Sequence, residues 1–154
     1  MLNKFKNRKQ AGFTIIEVLI VLAIAGLILL VVLLAVPALQ RNSRNTTIKN
    51  DAAGLAGAIS SFESNNDGAA VASITSAGLI SGSSGSTEQA KLQPATTVAT
   101  LSAAPTTVIT HGTLSVWLAH NCAGSGSSRA VAIWYSIETT SAETTANNNK
   151  CVDS

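Results

Sequence analysis

Between Val18 and Val36 the chain runs 19 residues without a formal charge, and counted back to Phe13 the stretch is 24 residues, broken only by Thr14 and Glu17. At about 1.5 Å of rise per residue, a helix of that length reaches roughly 36 Å, more than the ~30 Å hydrocarbon core of a bilayer. The run reads as a membrane span, and whatever else the chain builds must be built outside it. Lys4, Lys6, Arg8 and Lys9 precede it without an acid among them. By the positive-inside rule this cluster keeps the N-terminus in the cytoplasm, so the remainder of the chain is exported.

Two ordinary explanations fail on particular residues. A cleaved secretory signal has an apolar core of about 7 to 15 residues followed by a small-x-small site. This run is longer, and Val36-Pro37-Ala38 is a poor version of that site. A plain signal anchor accounts for everything except Glu17, because a carboxylate in an apolar layer is costly and needs a partner. Cleavage before Phe13 would create one: Glu17 lies four residues on and would face the new amine, or that of a neighbouring subunit, in a charge pair.

Gly12-Phe13-Thr14-Ile15-Ile16-Glu17-Val18-Leu19-Ile20-Val21 resembles the class III signal of type IV pilins and pseudopilins: a basic leader, a glycine, an aromatic residue, a glutamate at the fifth mature position, then the span. The resemblance implies cleavage between Gly12 and Phe13 by a membrane aspartyl prepilin peptidase, N-methylation of Phe13, and retention of the span in the mature protein. It implies a single pass through the cytoplasmic membrane, then extraction by an assembly ATPase and a platform protein into a homo-oligomeric extracellular filament. There Glu17 of one subunit would neutralise the Phe13 amine of another. Filaments of this family serve surface adhesion, twitching motility or DNA uptake, and no receptor follows from the residues. One rival is a pseudopilin of a type II secretion system, in which a calcium-binding C-terminal loop would stand in place of a disulfide. The other is a membrane-anchored adhesin that never polymerises and keeps its leader.

Charge excludes one class of partner. Removing the four leader cations from the ten in the chain leaves six against eight acidic side chains, so the mature protein has no basic field for nucleic acid. Cys122 and Cys151 both lie on the exported side, where thiols can oxidise. Joined, they close a loop of about 30 residues, worth roughly 3 to 4 kcal/mol in the chain-entropy model; the alternative is two free thiols. His120 stands near Cys122 without a second ligand pair at zinc spacing. The C-terminal segment looks like the disulfide-bounded loop that pilins expose on the filament surface.

The expected fold class is α+β and pilin-like: a long N-terminal helix packed on a small antiparallel sheet of about three to four strands. Residues 1–12 are the leader, 13–36 the membrane and filament-core helix, and 37–66 its amphipathic second half. There Ile48, Ala52, Leu55, Ile59 and Phe62 recur at helical spacing, with Arg44, Lys49, Asp51 and Glu63 off the stripe. Gly26 and Pro37 weaken this helix, so a bend or local opening is expected between them. Ser64-Asn65-Asn66-Asp67-Gly68 is a helix stop without calcium-loop spacing, and Arg44–Gly68 looks like the post-membrane helix of small bacterial pilins.

Residues 67–105 read as a variable connector. It holds a short helix or turn at 73–80, a flexible Ser/Gly loop at 81–86 and a short strand near 97–101. Residues 106–154 read as the sheet, a meander of 106–110, 114–120 and 130–138 closed by the cysteines, with His111 in a hairpin turn. Thr139–Asn149 is a polar tail pinned by Cys151, and Trp117 and Trp134 read as core or inter-subunit packing. The only histidines are His111 and His120, and no phosphate loop or paired carboxylates occur. The chain reads as a non-enzyme without cofactor or metal.

Overall fold

The computed structural model describes residues 12–139 and 148–154. The leader cations and most of the polar tail expected at Thr139–Asn149 lie outside the described residues. The chain divides into two units, Met1–Leu39 and Gln40–Ser154. One helix, α1 (Ile15–Asn65), contributes to both.

In the first unit α1 is apolar on every side and exposed on every side, as a helix made for lipid or for other helices must be. It is long and apolar enough to cross a membrane. The helix is continuous through Gly26 and Pro37, so the local opening expected between them is absent here. One missing donor at Pro37 and one glycine do not unwind a run of leucine, isoleucine and alanine that has no competing partner.

In the second unit the stripe Ile48, Ala52, Leu55, Ile59 and Phe62 is buried as its spacing predicts. Asp51 departs from that reading. It is 4% exposed rather than solvated, and its carboxylate accepts hydrogen bonds from the Thr96 hydroxyl and, at 3.3 Å, from the Gln93 N–H. After Asn65 the helix stops as its composition predicts. Asp67 and Gly68 take positive φ of 54° and 75°, and the Gly68 N–H returns to the Glu63 carbonyl at 2.8 Å.

The connector is largely a sheet. β1 (Val71–Ile74), β2 (Leu79–Gly82) and β3 (Thr87–Gln89) pair antiparallel in that order. Of the reading of 73–80 as a short helix or turn, the turn stands between β1 and β2, where the Gly78 N–H reaches the Thr75 carbonyl at 2.9 Å, and the helix gives way to strand on either side. Strands of three or four residues with one or two inward side chains are too short for a period to show. Nor is 81–86 a loose loop. Gly82 N–H reaches the Ser86 carbonyl at 3.1 Å and Gly85 N–H the Gly82 carbonyl at 3.2 Å, closing a tight turn. Gly82 is needed for close approach, since a Cβ there would stand 2.7 Å from Phe62 Cζ.

The second sheet has the order β4 (Thr97–Thr100), β5 (Thr113–His120), β6 (Gly126–Ser136), β7 (Asn149–Asp153). β5, β6 and β7 pair antiparallel, but β4 runs parallel to β5, from Thr97 opposite Thr113 to Thr100 opposite Val116. This corrects the expected meander. Residues 106–110 form no strand, β6 begins inside the expected loop, and the third antiparallel strand is β7 at the C-terminus. Parallel neighbours cannot be joined by a tight turn, so residues 101–112 must cross over. The β-branched run 106–110 serves that crossing, with Ile109 only 8% exposed; such composition reports fit to a half-buried surface and not strand as such.

One face of the second sheet, with Val98, Leu114, Val116, Val131, Ile133 and Tyr135, shares a single core with the helix stripe and with Val71, Ile74 and Ile80. By strand alternation the other face carries Ser115, Trp117, Ala132, Trp134 and Ser136. The fold is α+β, one long helix packed on small sheets, as expected.

Candidate processing and assembly site

The three residues singled out at the helix start come together in one turn. α1 begins at Ile15, which makes Thr14 its N-cap and Glu17 its third residue. The Glu17 Oε2 accepts hydrogen bonds from the Thr14 N–H at 3.0 Å and from the Thr14 hydroxyl at 2.9 Å, and the Glu17 N–H donates to Thr14 Oγ1 at 3.3 Å. This is a capping box, which gives two otherwise unpaired helix N–H groups partners. With Gly12 still joined to Phe13, the partner of the Glu17 carboxylate is its own Thr14. Sequence reasoning missed this, although the signal, threonine followed three residues later by glutamate ahead of an apolar run, was legible.

Gly12 and Phe13 are exposed, Phe13 at 87%, and the space around Gly12 is open. The peptide bond between them is therefore reachable. Phe13, Glu17, Val18, Ile20, Val21 and Leu22 line a shallow apolar groove on this stretch of helix. Gly26 and Pro37 lie further along the same exposed surface, and nothing stands within 4 Å of a Cβ built on Gly26.

The other predicted pair lies in the second unit. Cys122 and Cys151 are joined, 29 residues apart in sequence, and the Cys122 N–H donates to Asp153 Oδ1 at 2.6 Å. Asp153 is close enough to both sulfurs to suggest a metal cluster. Sulfurs bonded to each other are not thiolate ligands, and the carboxylate already accepts from backbone. His120 turns away from Cys122: a bulge at Ala119, with φ of 59°, lets its ring stack on Trp117 at 3.9 Å between centroids. Trp117 and Trp134 are half-buried and outside the main core, which removes core packing from the reading of both.

A polar cluster that sequence reasoning missed ties α1 to the end of β6. Arg44 donates to both Glu138 oxygens, Nε at 2.7 Å and Nη2 at 2.5 Å. Asn45 exchanges two hydrogen bonds with the Glu138 backbone at 2.7 and 2.8 Å, the pattern a neighbouring strand would make. His111 Nδ1 stands 3.5 Å from the same carboxylate, so this residue faces Glu138 from the end of the crossing and not from a hairpin. The Arg44 hydrogen bonds hold the Glu138 carboxyl below the usual carboxylate range; burial works against them, and the charges of His111 and Arg41 add to the lowering.

Compared with known proteins, residues 7–33 match the family described as the prokaryotic N-terminal methylation motif. No curated protein and no solved structure matches the chain. The matched residues include Gly12, Phe13 and the capped Glu17, so over this stretch the chain carries the N-terminal signature of the type IV pilin family.

Proposed function

We propose that the chain is a structural subunit of a type IV pilus, cleaved after Gly12 by prepilin peptidase, N-methylated at Phe13, and polymerised through α1. Before assembly it resides in the cytoplasmic membrane by a single pass; an assembly ATPase and platform protein then move it into an extracellular filament used for adhesion, motility or DNA uptake. The observation that carries this reading is the exposed apolar helix of residues 15–39, which begins at a reachable Gly12–Phe13 bond and bears a single acid, Glu17, in its first turn. A surface of that composition is stable only in lipid or against like helices, and the two environments are similar enough in polarity to exchange.

Glu17 has a second partner in this scheme. Thr14 engages Oε2, and the carboxylate then meets the Phe13 amine of a neighbouring subunit in the filament. Gly26 and Pro37 lower the cost of opening the helix once neighbours pack around it. The pseudopilin alternative is less well supported, because a disulfide rather than a calcium loop closes the C-terminal segment.

The test has two parts. Mass spectrometry of the membrane-extracted protein is expected to find a chain starting at methylated Phe13, and electron microscopy of sheared surface material is expected to find filaments containing it. Glu17→Ala is expected to be cleaved normally and to lose filaments at least tenfold. An intact Met1 would overturn the processing scheme, and filaments of Glu17→Ala at the normal level would overturn the role of the carboxylate.

A further inference from the structure

We infer that the Cys122–Cys151 disulfide controls the 101–112 crossing, with Asn149 as the link. Among the described residues β7 is an edge strand, paired on one side with β6. The bridge and the Cys122 N–H bond to Asp153 fasten its C-terminal part to the turn after β5. At its other end Asn149 faces the crossing, accepting from the Ile109 N–H at 3.2 Å and donating to the Thr107 carbonyl at 2.8 Å. The ends of the crossing are held by the sheet itself, through Leu101 N–H to the Val116 carbonyl and Thr97 N–H to the Gly112 carbonyl. Among the described residues, the hydrogen bonds made by its middle, 102–109, are the two from Asn149.

The crossing therefore depends on β7 staying in place, and β7 is short, terminal and bridged. Ile109 is buried within the crossing, and Ala132 and Ser136 on the outer face of β6 are buried too, with Ser136 directly opposite Asn149. Trp134 shares that face, opposite Cys151. Opening of the bridge frees β7, Asn149 leaves with it, and the crossing lifts from the outer face. The chemistry requires a dithiol reductant. One of its thiolates attacks a bridge sulfur and the other cysteine leaves as a thiolate. The second thiol resolves the mixed disulfide, so the reductant ends as a disulfide and both cysteines take up protons. The oxidised subunit thus presents a strapped face, the reduced subunit an open one. This inference is independent of polymerisation.

Amide hydrogen exchange, followed by mass spectrometry on the full-length chain in detergent micelles, tests it. The oxidised protein, the same protein reduced with dithiothreitol, and oxidised Asn149→Ala are compared. Residues 101–112 are expected to exchange at least tenfold faster in the reduced protein and in Asn149→Ala, whose bridge is intact by thiol titration. Residues 48–62 are expected to stay within twofold in Asn149→Ala, where the bridge still supports the core. Unchanged exchange of 101–112 in either sample overturns the inference, and so does loosening of 48–62 in Asn149→Ala, which would make Asn149 a support of the whole core and not of the strap.

Discussion

Arg44 and Glu138 meet across 94 residues of sequence, and their pairing is the residue-scale feature with the clearest dependence on solution conditions. A carboxyl held below its unfolded range contributes stability that is present above the unfolded value and lost as pH falls through the folded one. Arg44→Ala is therefore expected to cost about 1 kcal/mol at neutral pH, since Arg44 is half-exposed and water screens the pair. The difference from wild type should fade below about pH 4 and vanish once Glu138 is protonated. Urea denaturation at a series of pH values checks this; an equal deficit in strong acid would assign the effect to packing of the arginine stem. Thr14 and Asp51 carry a related lesson. The capping box was legible from spacing alone, whereas Asp51 looked like a solvated charge, because the Thr96 hydroxyl and Gln93 N–H that receive it come from a distant segment.

Among the elements, α1 was the most legible, since its apolar run, stripe and stop are each written in consecutive residues. Its glycines separate by role. Gly68 has φ of 75°, and a Cβ there would stand 2.9 Å from Arg129 Nη1, so Gly68→Ala is expected to destabilise by about 1 to 2 kcal/mol. Gly57 is helical, exposed and has nothing within 4 Å of a built Cβ. Gly57→Ala should stabilise the unassembled subunit by up to about 1 kcal/mol. Chemical denaturation of the two variants side by side checks the opposite signs. The strands were less legible. β5 stood out by its β-branched and aromatic residues and most of β6 by an alternation as well, but β1, β2 and β3 are too short to display one, and the β-branched run 106–110 belongs to a crossing because its neighbours β4 and β5 are parallel.

Over the whole molecule, the disulfide ties β7 to the turn after β5 across a sequence separation of 29. Replacing both cysteines by serine is expected to lower the stability of the second unit by roughly 3 to 4 kcal/mol, read from denaturant midpoints of the unassembled subunit with and without the bridge. A loss below about 1 kcal/mol would mean that β7 and the core hold the C-terminus without it. The amino-acid sequence by itself determined the membrane-length helix, the Gly12–Phe13–Glu17 motif at its start, the buried stripe and the α+β class. These depend on charge, spacing and composition along a continuous stretch, which any fold containing the stretch must respect. Tertiary structure alone decided that β4 lies parallel to β5, that 101–112 crosses the sheet, that the C-terminus returns as β7, and that Asp51 and Glu138 are held by partners far away in the chain. Those outcomes turn on which distant backbone and polar groups become neighbours, and burial then requires each of those groups to find its hydrogen bond there.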